Sequence, residues 1–155
     1  MHVTRRGILL GATGVVLAAG AGTGAGYLRQ LRDEPDTRAP PDLLAALASE
    51  RALTRQLDAA IRRDRTQRQL LTPIRADHQA HADAIAAAIR EVTGRAAPAD
   101  TGRAARTAPS RAVLRSAEQT AATRTALRAG RLDGRAATLL ASIAACEASH
   151  AEVLR

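Results

Sequence analysis

Glu50, His78, His81, Glu118, Glu147 and His150 all sit inside apolar stripes of helical period, where an unpaired charge is costly to bury. The stripes define four helices. The first runs through Leu43, Leu47, Glu50, Leu53, Leu57 and Ile61, and the second through Leu70, Ile74, His78, His81, Ile85, Ile89 and Val92. Leu114, Ala117, Glu118, Ala121 and Thr125 form the third, and Ala136, Leu140, Ile143, Glu147, His150 and Leu154 the fourth. Asp42, Ser110 and Asp133 stand where N-caps are needed, and Gly130 closes the third helix. Pro73 falls inside the second stripe. It leaves two starts, one at Thr72 as N-cap and one near Thr66 with a kink at Pro73. Residues 93 to 109, rich in Gly, Ala, Pro and Arg, form the longest connection and separate two helical hairpins. The core has no Phe or Trp to draw on and is built from Leu, Ile, Val and Ala. Alanine and leucine favour helix over sheet. The fold class predicted is all-α, an antiparallel four-helix bundle.

Turn positions test whether the polar residues meet. With the first turn at Asp64, Glu50 lies 14 residues before it and His78 14 after it, each about 21 Å along its helix. With the second at Leu132, Glu118 lies 14 before and Glu147 15 after. The residues in each hairpin therefore come level, which favours a second helix that begins near Thr66. In His78/His81 and in Glu147/His150 the i, i+3 spacing keeps both side chains on one face.

Such residues need compensation, and there are three sources. Carboxylate and imidazole ligands suit iron, manganese or zinc. Glu and His can instead bond one another, and Arg can reach in from neighbouring positions. A bundle that holds two metal ions uses a Glu from each of two helices and a Glu-x-x-His from each of the other two. The chain matches that pattern except at His78. The stretches Leu43 to Glu50, Asp77-His78-Gln79-Ala80-His81 and Cys146-Glu147-Ala148-Ser149-His150 resemble the ferritin-like superfamily, in particular Ala-rich ferritin-like domains of unknown function in exported bacterial proteins. The resemblance covers residues 42 to 155. It implies a ferritin-like bundle with Glu50, His81, Glu118, Glu147 and His150 at metal-ligand positions. His78 stands where the superfamily has a bridging Glu, which puts one ion, or none, beside two as outcomes. Cys146, one turn before His150, reads as a small core residue.

The N-terminus carries a different signal. Thr4-Arg5-Arg6-Gly7 followed by an uncharged Gly- and Ala-rich stretch to Tyr27 fits a twin-arginine export segment. Cleavage near Ala19-Gly20-Ala21 and retention as a membrane anchor are both open. Residues 1–27 thus read as signal or anchor, 28–41 as a linker with Pro35, Pro40 and Pro41, and 42–155 as the bundle. Either route places the domain outside the cytoplasmic membrane. One cysteine cannot form an internal disulfide. The net charge of +8 rests on 23 arginines with no lysine, a bias of GC-rich coding. The arginines are spread over every helix, so with export the expected partners exclude nucleic acid. They include a membrane or cell-envelope surface, with a homo-oligomer open. No Cys-x-x-Cys-His is present and haem is not expected. Two functions compete: an exported metal-binding bundle, and a metal-free helical interaction module tethered at the membrane.

Overall fold

The computed structural model describes residues 38–155. The export segment and most of the expected linker lie outside the described residues. Four α-helices make up the described chain, with no strand among its residues. They are α1 (Pro41–Arg63), α2 (Arg68–Thr93), α3 (Arg111–Ala129) and α4 (Gly134–Val153), with a 3-10 turn at Arg65–Gln67 ahead of α2. None of these helices is long and apolar enough to cross a membrane.

Local chemistry sets the boundaries. At Asp64 the backbone is extended, and its carboxylate accepts from the Thr66 amide at 2.9 Å and the Thr66 hydroxyl at 2.6 Å. This Asx-type turn lets the chain reverse and starts the second helix close to Thr66, ahead of Thr72. Pro73 is inside α2, one turn past its start. Gly94, at φ 68, closes α2 in the left-handed region that favours glycine. Ser110 caps α3 through its hydroxyl, which accepts from the Val113 amide at 3.3 Å. The expected caps at Asp42 and Asp133 differ. Helix α1 begins at Pro41, whose fixed φ and missing N–H suit the first turn, so Asp42 already lies within the helix. Its carboxylate bonds Arg131 at 2.6 Å instead. The linker therefore ends before residue 41. Asp133 occupies the N-cap position of α4 without a side-chain bond.

Helix α1 packs on α2, α3 on α4, and α1 also on α3. The core has two apolar clusters. One joins Leu43, Leu47, Ile85, Ile89, Leu140 and Ile143. The other joins Leu57, Leu71, Ile74, Leu114 and Leu154. Each draws on the start of one helix of a hairpin and the end of the other. The connection from 94 to 110 borders α1 through much of its length: Ala97 packs on the first cluster, Arg51 bonds the Pro98 carbonyl at 2.8 Å, and Arg55 pairs with Asp100 at 2.6 Å. The stripe of α2 is turned slightly from the sequence expectation. Leu71 and Ala82 are buried, Leu70 and His81 are at the edge, and Val92 is half exposed. The short 3-10 segment advances the helix differently from an α-helical turn, which shifts the inward face.

Candidate metal centre

Between the two clusters lies a polar layer. Glu50, His78, Glu118, Thr125, Glu147 and His150 are all buried, and His81 is half-buried at its edge. The structure thus brings all six ligand-type residues of the sequence into one layer, supplied by all four helices.

His78 is the centre of one half. Its Nδ1 lies 2.7 Å from Glu50 Oε2 and its Nε2 2.9 Å from Glu118 Oε1. A carboxylate only accepts, so both ring nitrogens must donate and the imidazole is a cation. Burial acts to lower its pKa, but the bonds to Glu118 and Glu50 raise it to about 10. Burial likewise pushes Glu50 upward, and the bonds from His78 and His81 outweigh this and pull it down to about 2. Glu118 is lowered in the same way against its burial, by His150 and His78. The result is a buried carboxylate–imidazolium–carboxylate chain with one uncompensated negative charge.

Glu147 defines the other half. It is fully buried, and neither carboxyl oxygen has a hydrogen-bond partner. Burial first, then the negative charge of Glu50 and contact with its carboxylate, raise its pKa to about 8, while the neighbouring Thr125 hydroxyl and the charge of His78 act the other way. Its carboxyl therefore holds its proton well above the ordinary carboxylate range. The Thr125 hydroxyl, Glu118 Oε2, His81 Nδ1 and His150 Nδ1 are also buried atoms without a hydrogen-bond partner. Native interiors leave few such groups, and here they converge in one layer.

The donor set fits a transition-metal ion. Glu50, His78 and His81 each offer one ligand atom, all within 4.8 Å of one another. Two ligands of one tetrahedral ion stand about 3.4 Å apart at ordinary metal–N and metal–O lengths. His81 Nδ1 lies 3.4 Å from Glu50 Oε2. A second trio of His78, Glu118 and His150 also falls within 4.8 Å, although His150 Nδ1 and Glu118 Oε2 are 3.7 Å apart.

Two residues outside the six meet His150 on its far side. Asp77 Oδ2 is 3.1 Å from His150 Nε2, and Cys146 Sγ is 3.5 Å from the same nitrogen. Asp77 is more than half exposed and Cys146 partly so. Burial, then the charges of Asp77 and the nearby glutamates, raise the Cys146 thiol's pKa. The sequence held a signal for both: Asp77 precedes His78, and Cys146 lies four residues before His150. No family model matches the chain, and neither the curated proteins nor the solved structures yield a match.

Proposed function

We propose that the protein is an exported helical bundle that binds one transition-metal ion in its core, through Glu50, His78 and His81, whose ligand atoms already lie within 4.8 Å of one another, with Glu147, which belongs to neither trio, turning in from α4 as the fourth ligand. The observation that carries this reading is Glu147, a fully buried carboxyl with no partner on either oxygen. Retaining it costs stability unless a cation compensates it. Glu118 then acts on the ion through His78: with the proton on Nε2 donated to Glu118, Nδ1 has the lone pair that faces Glu50 and His81. Iron, manganese and zinc all suit these carboxylate and imidazole ligands.

One ion is favoured over two. Both trios need His78, and a neutral imidazole has a single free lone pair. The bridging carboxylate of a paired-metal site would serve two ions at once, which a neutral His78 cannot do.

The order of contacts supports an antiparallel, ferritin-like arrangement. Leu43 at the start of α1 clusters with Ile89 at the end of α2 and Ala129 at the end of α3. Leu57 near the end of α1 clusters with Leu71 and Leu114 near the starts of α2 and α3, and with Leu154 after α4. A long connection that returns along α1 is the crossover that distinguishes ferritin-like bundles from simple up-and-down ones. The export segment and a membrane or cell-envelope location remain part of the proposal on the strength of Arg5, Arg6 and the uncharged stretch after them.

A second reading is favoured by one observation. His78 already joins Glu50 and Glu118 at good hydrogen-bond distances without any metal, as in a metal-free interaction module whose polar layer sets helix register. Metal analysis separates the two. After the purified protein is reconstituted with iron, manganese and zinc and then desalted, the proposal expects about one inner equivalent of one of them. Less than about a tenth of an equivalent, with the protein folded, rejects it.

A further inference from the structure

The residues around the far nitrogen of His150 form a second constellation. Asp77 comes from α2, whereas Cys146 and His150 come from one face of α4, four residues apart. Their ligand atoms lie within 4.8 Å of one another and combine oxygen, sulfur and nitrogen. Geometry is close to what a single ion requires. At ordinary zinc bond lengths, a thiolate and an imidazole on one tetrahedral ion stand about 3.6 Å apart, and an imidazole and a carboxylate about 3.4 Å. The observed separations are 3.5 Å for Cys146 Sγ to His150 Nε2 and 3.1 Å for Asp77 Oδ2 to His150 Nε2. His150 is itself buried, at 6% exposure, so its ring is held by packing while the half-exposed Asp77 opens to solvent.

From this geometry we infer that Asp77, Cys146 and His150 form an outer metal site for a zinc-class ion, separate from the inner centre. The ion binds His150 Nε2, the Cys146 thiolate and one Asp77 oxygen, and leaves a fourth position to solvent. The thiol proton is released to water as the sulfur binds. His150 Nδ1 then carries the ring proton and faces Glu118 Oε2, 3.7 Å away. Glu118 thereby becomes a shared carboxylate, toward which His78 and His150 each turn a ring N–H while their opposite nitrogens face separate ions. Carboxylates commonly orient metal-binding imidazoles in this way. A thiolate makes the outer site softer than the inner one, so it selects zinc, and cobalt as its spectroscopic substitute, over manganese.

The test uses Co²⁺ alone, titrated into the full chain under reducing conditions. A thiolate-to-cobalt absorption band in the near ultraviolet is expected, and it should vanish in Cys146→Ser. Asp77→Asn, at an exposed position, should weaken the binding that produces the band by about tenfold or more. In a parallel experiment, Zn²⁺ should slow maleimide labelling of Cys146 at least about tenfold in the wild-type chain. The paired variant Glu50→Gln with Glu147→Gln separates this inference from the proposed function. The band should survive in it if the outer site is independent. Folding of each variant is checked by circular dichroism, and the labelling experiment on the wild-type chain does not depend on any of them. Co²⁺ binding without the band, labelling unchanged by Zn²⁺, or loss of the band in the folded inner-site variant would each overturn the outer site.

Discussion

Glu118 and Glu147 come from the consecutive helices α3 and α4, are both fully buried, and sit in the same polar layer, yet their pKa values are pushed in opposite directions. Glu118 accepts from His78 and its pKa is lowered, whereas neither oxygen of Glu147 has a hydrogen-bond partner and its pKa is raised to about 8. Burial alone therefore does not set the state of a carboxyl here. His78 links two carboxylates on its side of the layer, and no such link exists around Glu147. Removing a group from the first side should be costly, and from the second side nearly free or beneficial.

The sharpest break between the two is expected from His78→Ala. It removes the imidazolium between Glu50 and Glu118, leaving them only the longer contacts from His81 and His150, and should cost about 3–5 kcal/mol in urea unfolding of metal-free protein. A cost near zero would erase the distinction. Next in size is the pH dependence of metal-free stability. The folded pKa of Glu147, about 8, is above the ordinary 4.5. Its stabilising contribution is thus full below pH 4.5 and is lost as pH rises to about 8, with a limiting slope of about 1.4 kcal/mol per pH unit. Glu147→Gln should abolish that slope. His78, raised from 6.5 to about 10, gives a loss in the same direction over the higher window, and this part should persist in Glu147→Gln. Glu50, lowered from 4.5 to about 2, works oppositely, and its contribution disappears as the solution is acidified through that range. Urea midpoints between pH 3 and 10 check all three.

A smaller effect is expected at Thr125, whose buried hydroxyl has no partner. Thr125→Val removes that buried polar atom at nearly constant shape but also its influence on Glu147, so metal-free stability should change by less than about 1 kcal/mol. Smallest is the Arg55–Asp100 pair, which pins the long connection to α1 from a partly exposed position. Asp100→Asn should cost less than about 1 kcal/mol, and that cost should shrink in high salt.

Much of this arrangement was legible in the chain. Helical periodicity placed the buried face of each helix, and turn symmetry about Asp64 and Leu132 brought Glu50, His78, Glu118 and Glu147 to one height. Periodicity is a property of a single helix, so it could not give the rotation of one helix against another. For that reason the inward edge of α2 passes through Leu71 and Ala82 where the pattern alone pointed to Leu70 and Val92. The same limit hid the approach of Asp77 to His150 and Cys146, since they meet only across α2 and α4. Nor does the spacing show that His78 would bond two carboxylates while Glu147 bonded none. That asymmetry depends on side-chain direction within the layer.

The central claim is that Glu147, together with Glu50, His78 and His81, forms an inner cation site. It is tested most directly by Zn²⁺ titration of two proteins, Cys146→Ser and Cys146→Ser with Glu147→Gln, the first substitution removing the outer thiolate from both. The account predicts about one inner ion per chain in the single variant and an affinity at least about tenfold weaker once residue 147 can no longer ionise. Equal affinity in the two folded proteins, or no ion bound by either, would contradict it.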